Sequence, residues 1–176
     1  MRVIGGEFRS RRLKSLPGLA TRPTPDRLRE TLFDILGSTI ENKVFLDAYA
    51  GTGAVGIEAL SRGAARAIFI EKQKAIAIVI SQNLASLGAA DRAVVVAATA
   101  LSAIARYKAH IVFLDPPYDL ESEYPKALDM LSQDPPDVVI AQHSLRLALA
   151  EKYGALQHTR DVRQGDNVLS WYSVKK

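Results

Sequence analysis

At 176 residues, with 48% hydrophobic and 24% charged side chains, the chain has the size and make-up of one globular domain, so a single core rather than two full domains is expected and a low-complexity or collagen-like chain is excluded. It contains no cysteine, so disulfides, thiolate metal sites and a cysteine nucleophile are excluded. The net charge is +4, and residues 1–20 hold all of it: Arg2, Arg9, Arg11, Arg12 and Lys14 stand against Glu7 alone, and the rest of the chain balances.

A local basic excess is the footprint of an anionic partner such as nucleic acid, or else of a solvated terminus. No uncharged apolar run reaches the roughly 18–20 residues of a membrane helix, and MRVIGGEFRSRR has no leader-like apolar stretch. His110, His143 and His158 lack the spacing of metal ligands. A soluble, cytoplasmic protein with no membrane or metal partner is expected.

In chain order, VIGGEFRSRRL reads as a small basic hairpin. Residues 1–20 form an extension to a domain spanning 21–176. TRPTPDRLRETLFDILG reads as a helix with Thr24 as N-cap, Pro25 in the first position and Gly37 as stop; Leu28, Leu32, Ile35 and Leu36 share one face. Strands follow at 43–47, 67–71, 93–97, 110–115 and 137–141, each a continuous apolar run followed by a helical pattern. The helices lie at about 53–62, up to 87, 100–106, 122–132 and 145–152. Two closing strands, LQHTRDV and NVLSWYSV, are parted by a short polar turn and should be antiparallel. Apolar strands alternating with helices predict an α/β, doubly wound, mostly parallel sheet.

The first of these strands ends at Asp47 and runs into GTGAVG, a G-x-G-x-x-G turn between strand and helix. Such a turn lets the backbone approach a ligand, with Gly51 and Gly53 at the approach. Glu71 closes the second strand, where a carboxylate accepts both hydroxyls of a ribose. A dinucleotide and S-adenosylmethionine both fit that geometry. Asp47 favours the second, since it would repel a pyrophosphate and attract an ammonium or sulfonium. The fourth strand runs into Asp115-Pro116-Pro117-Tyr118. Asp115 and the Pro116 carbonyl can accept the two hydrogens of an exocyclic amine, which draws the nitrogen lone pair out of the aromatic ring. Tyr118 offers a face on which a base stacks. A base inside a helix cannot reach such a site and must be flipped or unpaired.

DAYAGTGAVGIEALSRGA, the Glu71 strand and IVFLDPPY resemble the Rossmann-like amino-methyltransferases that use S-adenosylmethionine. VIGGEFRSRRL, TRPTPDRLRETLFDIL and QGDNVLSWY, in that order, resemble the bacterial small-subunit ribosomal RNA guanine-N2 methyltransferases of the RsmD type. The resemblance implies a seven-stranded sheet with its last strand antiparallel. It also implies a basic N-terminal hairpin facing RNA through Arg2, Arg9, Arg11, Arg12 and Lys14. It assigns cofactor contact to Asp47, Gly51, Gly53 and Glu71, and catalysis to Asp115, Pro116, Pro117 and Tyr118. Arg22, Thr24 and Arg27 would line the methionine end of the cofactor, with Arg27 also counted among the RNA-facing cations. The implied partner is ribosomal RNA within a small-subunit assembly intermediate, bound by a monomer.

The chain departs from the family pattern at three places. Thr99 stands where an Asp usually holds the adenine amino group. Gln73 replaces an acid after Glu71, and Gln142-His143 replaces a Glu-His pair. His143 and Trp171 read as wall or packing residues. Three rival readings stay open: amino-methylation at adenine N6 of DNA or another RNA, a nicotinamide-dependent oxidoreductase, and an RNA-binding module whose cofactor site has decayed.

Overall fold

The computed structural model describes residues 1–17 and 24–175. Its centre is a sheet of strands β1 (Val44–Asp47), β2 (Arg66–Ile70), β3 (Ala93–Val96), β4 (Ile111–Leu114), β5 (Val138–Ser144), β6 (Lys152–Tyr153), β7 (Leu156–Gln164) and β8 (Asn167–Val174). They lie in the order β3-β2-β1-β4-β5-β8-β7-β6. The first five are parallel, β8 is antiparallel to β5, and β7 and β6 continue antiparallel. The fold is therefore the expected Rossmann-like methyltransferase sheet, with the two-residue β6 as an eighth strand.

Helices α1 (Asp26–Leu36), α2 (Ala54–Ser61) and α3 (Lys74–Ser86) cover one face; α4 (Ala100–Ala103) and α5 (Glu123–Leu131) cover the other. Side chains of successive strand residues point to opposite faces. Phe45, Phe113 and Ile140 accordingly pack under α1 and α2, while Leu46, Val112, Leu114 and Val139 pack under α4 and α5. Gly56 sets the closeness of α2 to the sheet: a Cβ there would stand 2.3 Å from the Phe69 ring. From β1 the chain runs one way to β2 and β3, then returns to β4 and β5 on the other side. The gap between the carboxyl ends of β1 and β4 is the topological switch point, where such sheets bind ligands.

Three local expectations change. Thr24 does not cap α1; Pro25 holds that position without a side-chain bond, because the Thr24 hydroxyl is directed to Asp115. Residues 145–152 are not helical. Ala150 donates its N–H to the Tyr153 hydroxyl and accepts the Tyr172 hydroxyl, both at 2.9 Å, so two tyrosine side chains, one of them 22 positions on, take the groups a helix would use. The helix at 100–106 stops at Ala103 and tightens to a 3-10 turn over Ile104–Arg106.

The N-terminal segment, read from sequence as an extension, is built into the core in its described part. It doubles back through an antiparallel bridge between Arg2 and Arg12. Val3, Phe8 and Leu13 join the cluster formed by α2, α3 and β2, each worth roughly 1.5–3 kcal/mol of burial. With this cover, all eight residues of α2 are buried, including Glu58 and Ser61 on its outward side. Glu58 accepts the N–H groups of Ile4 and Gly5 at 2.9 and 2.8 Å and pairs with Arg62 at 2.9 Å. The fully buried Arg29 lies 3.8 Å from Glu58 and donates to the Arg2 carbonyl at 2.8 Å. Gly6 approaches so closely that a Cβ would stand 1.9 Å from the Ser61 carbonyl oxygen.

Candidate active site

A cavity of about 560 Å³ opens at the carboxyl ends of the parallel strands. Residues at those strand ends make its floor: Asp47 at the end of β1, Glu71 after β2, Thr99 after β3, Asp115 to Tyr118 after β4, and Gln142 and His143 in β5.

Glu71 ties the glycine turn to β2. Gly51 N–H donates to its Oε2 at 2.9 Å and Gln73 N–H to its Oε1 at 2.8 Å. Each carboxylate oxygen keeps a further lone pair, so two hydroxyls of a ligand can still be accepted side by side. Asp47, 1% exposed, accepts the Gly56 N–H at 3.1 Å through Oδ2. Burial pushes its carboxyl up to about 7, aided by the nearby charges of Asp115 and Glu71 and opposed by the Gly56 N–H. A cationic ligand relieves this clustered negative charge; a pyrophosphate adds to it.

Asp115 is half-buried and accepts the Thr24 hydroxyl at 3.3 Å. Pro116 is buried, while Tyr118 is 57% exposed at the mouth. Two further tyrosines brace the wall. Tyr49 donates to Glu123 Oε2 at 2.7 Å, and Tyr124 donates to the Gln142 carbonyl. Burial pushes both phenols up, with Glu123 adding to the effect on Tyr49 and Asp115 to that on Tyr124, so both remain donors. The His143 ring is fixed at both nitrogens: Nδ1 lies 2.9 Å from the Ser144 carbonyl and Nε2 lies 2.7 Å from Ser170 Oγ, which donates to Asp161 at 2.6 Å.

The cavity thus gathers Thr24, Asp47, Gly51, Glu71, Thr99 and the whole of Asp115 to Tyr118. Gly53 stands just behind it as the N-cap of α2. Arg22 lies outside the described residues. Trp171 packs away from the cavity under α1, with the Arg160 guanidinium 4.8 Å above its ring. Arg2, Arg9, Arg11, Arg12, Lys14 and Arg27 are exposed. Arg11 reaches the Ser86 carbonyl at the last residue of α3, whereas Gln73, before its first, lines the cavity. Thirteen helical residues span about 20 Å, so Arg11 is not part of the cavity wall. Sequence reasoning passed over Tyr49, Tyr124 and Asn167 as site residues. Tyr49 stood inside the glycine-turn motif and Asn167 inside QGDNV; Tyr124 carried no signal.

No helix among the described residues is long and apolar enough to cross a membrane, and none of their His, Cys, Asp and Glu side chains group as a metal site. A sequence profile of the family described as conserved hypothetical protein 95 matches residues 1–173. YlbH of Bacillus subtilis is 36% identical, with 94% of each chain covered. Ribosomal RNA small subunit methyltransferase D of Escherichia coli is 45% identical over 67% of this chain, a match that spans 60% of that relative. The solved structure of YhhF from Escherichia coli superposes with a TM-score of 0.85 at 32% identity, covering 99% of this chain and 98% of that one. By sequence along nearly its whole length and by fold, the chain belongs to the conserved hypothetical protein 95 family, the RsmD type of methyltransferase.

Proposed function

We propose that the protein transfers a methyl group from S-adenosylmethionine to the exocyclic 2-amino group of a guanine in small-subunit ribosomal RNA, presented within an assembly intermediate. The observation that carries this reading is the joining of three acids, Asp47, Glu71 and Asp115, around one cavity at the switch point. The names of the similar proteins, small-subunit ribosomal RNA methyltransferase D among them, support the RNA class.

The residues fit the cofactor. Glu71 keeps acceptor capacity for the ribose hydroxyls, Ile70 and Ala98 supply apolar walls for a base, and Asp47 is a buried acid suited to a cation. When bound, S-adenosylmethionine supplies a methyl group on a sulfonium and leaves as a neutral thioether. Asp115 and the Pro116 carbonyl accept the two hydrogens of the target amine, turning its lone pair out of conjugation and toward the methyl carbon. On methylation the amine would shed one proton along the Asp115 hydrogen bond. Thr24 holds Asp115 in place by its hydroxyl. Positioning rather than covalent catalysis is the main contribution.

Arg9, Arg11 and Arg12 would grip RNA phosphates, and Arg11, at the far end of α3 from the cavity, would do so well away from the flipped base, which suits a large folded RNA better than a short strand. The test is labelled methyl transfer to small-subunit RNA from cells lacking the protein, followed by nucleoside mass spectrometry. N2-methylguanosine is expected; N6-methyladenosine or no transfer would overturn the reading.

A further inference from the structure

Three buried side-chain polar atoms lack a hydrogen-bond partner among the described residues: Arg29 Nε, Gln142 Oε1 and Trp171 Nε1. Arg29 is compensated by the charge of Glu58 nearby, and Trp171 packs under α1. Gln142 is different, because it is 7% exposed and lines the cavity. An unsatisfied buried carbonyl is costly, about 1–3 kcal/mol, and calls for a partner.

Its position says which partner. Leu114 of β4 pairs with Ala141 of β5 in parallel register. One residue on, Asp115, just past β4, and Gln142, within β5, are therefore neighbours, and alternation places both toward the α1 side. The Gln142 backbone is pinned there by Tyr124. The terminal torsion of a glutamine is soft, so the carboxamide can turn its oxygen into the cavity while the backbone stays fixed.

We propose that Gln142 is the residue that selects guanine over adenine, accepting the N1–H of the target base while Asp115 holds the neighbouring 2-amino group. This rests on the guanine-N2 reading above. In guanine the N1–H and the 2-amino group are adjacent donors, matching two adjacent acceptors on β4 and β5. Adenine presents a lone pair at N1, which an acceptor oxygen cannot satisfy; the carboxamide would have to turn its Nε2–H inward and leave Oε1 in the buried position where it has no partner among the described residues. A neutral acceptor suffices, because the group it receives is a neutral N–H.

The test uses 2-aminopurine, which keeps the 2-amino group but has no N1–H. Once the methylated nucleotide has been located, small-subunit RNA is assembled with guanosine or with 2-aminopurine at that one position. Single-turnover rates are compared for the natural protein, Gln142→Leu and Gln142→Glu. The natural protein should use the 2-aminopurine RNA roughly 10–100-fold more slowly. Gln142→Leu should lose most of that difference, and Gln142→Glu, which retains an acceptor, should keep it. Any effect of the missing O6 is common to all three proteins and cancels. Stabilisation by S-adenosylhomocysteine checks that the variants are folded, and the comparison on the natural protein needs no variant. Equal rates on the two RNAs, or an undiminished difference in folded Gln142→Leu, would overturn the role of Gln142 alone. A natural product of N6-methyladenosine would overturn the guanine reading and this role with it.

Discussion

Two buried carboxylates sit on either side of one short helix and are treated in opposite ways. Glu58, in the middle of α2, is surrounded by partners: two backbone N–H groups, Arg62, and Arg29 at 3.8 Å. Asp47, below the start of the same helix, accepts a backbone N–H from Gly56 and has the charges of Asp115 and Glu71 for company. The first arrangement ties the N-terminal segment to the core. The second holds negative charge in reserve for something that arrives. Burial alone therefore does not mark a functional acid; the absence of a compensating cation among the described residues does.

The largest effect that separates the two regions should come from the cavity. Asp115→Ala should lower methyl transfer on the order of 10²–10³-fold, the scale for losing one positioned polar group, with little change in S-adenosylmethionine affinity. Near-normal turnover would mean that the DPPY segment is only a turn.

Removing the acid on the other side should act on stability instead. Glu58→Ala leaves the buried Arg29 with only the exposed Asp26, 3.1 Å away, as counter-ion among the described residues, a loss of up to about 3–5 kcal/mol, and the melting temperature should fall on the order of 10 °C. The stabilisation that S-adenosylmethionine adds should persist. If the cofactor effect vanished while the fold survived, the two regions would not be separable in this way.

A smaller effect is expected on the surface of the N-terminal segment. Charge reversal at Arg9, Arg11 and Arg12 should weaken RNA binding and reduce its salt slope by about 0.7–0.9 for each phosphate no longer neutralised. Cofactor affinity should hold. An unchanged slope would identify these cations as a solvated face.

The smallest effect concerns Thr99, which lines the cavity at the N-cap of α4 without a side-chain capping bond. An Asp there would offer a charged acceptor to the adenine amino group, where Thr offers a neutral one. The difference is roughly 1 kcal/mol, or about fivefold in affinity. Calorimetry on Thr99→Asp should show tighter binding; equal or weaker binding would place the adenine elsewhere.

The parallel half of the sheet was legible because its strands are continuous apolar runs, and the cavity was legible because its acids and glycines close those runs. What escaped the sequence depended on distant partners. Glu58 reads as an ordinary helix charge until residues 4 and 5, more than 50 positions earlier, fold onto it. Thr24 reads as a cap, yet its hydroxyl is directed to Asp115, 91 positions on. SLRLALAEK has good helix formers, but Tyr153 and Tyr172 claim the backbone of Ala150. Gln142 reads as a departure from a pattern, and only the register of β4 with β5 shows that it stands beside Asp115.

The reserve of charge at Asp47 is tested most directly by its titration. A carboxyl raised to about 7 is neutral in the ligand-free fold below that pH. Its contribution to stability is intact below about pH 4, where the unfolded carboxylate is also protonated, and is lost as pH rises through 7. A bound cation favours the charged form, so binding below pH 7 must release a proton. Calorimetric titration of S-adenosylmethionine at pH 6, 7 and 8, in buffers of different ionisation enthalpy, reads both quantities. We predict affinity rising up to about fivefold between pH 6 and 7 and about tenfold between pH 6 and 8, with proton release at pH 6. Asp47→Asn should bind more weakly, lose that proton release, and be more stable than the natural protein without ligand at pH 8. Binding without proton release at pH 6, or an Asn variant that binds as tightly as the natural protein, would contradict the account.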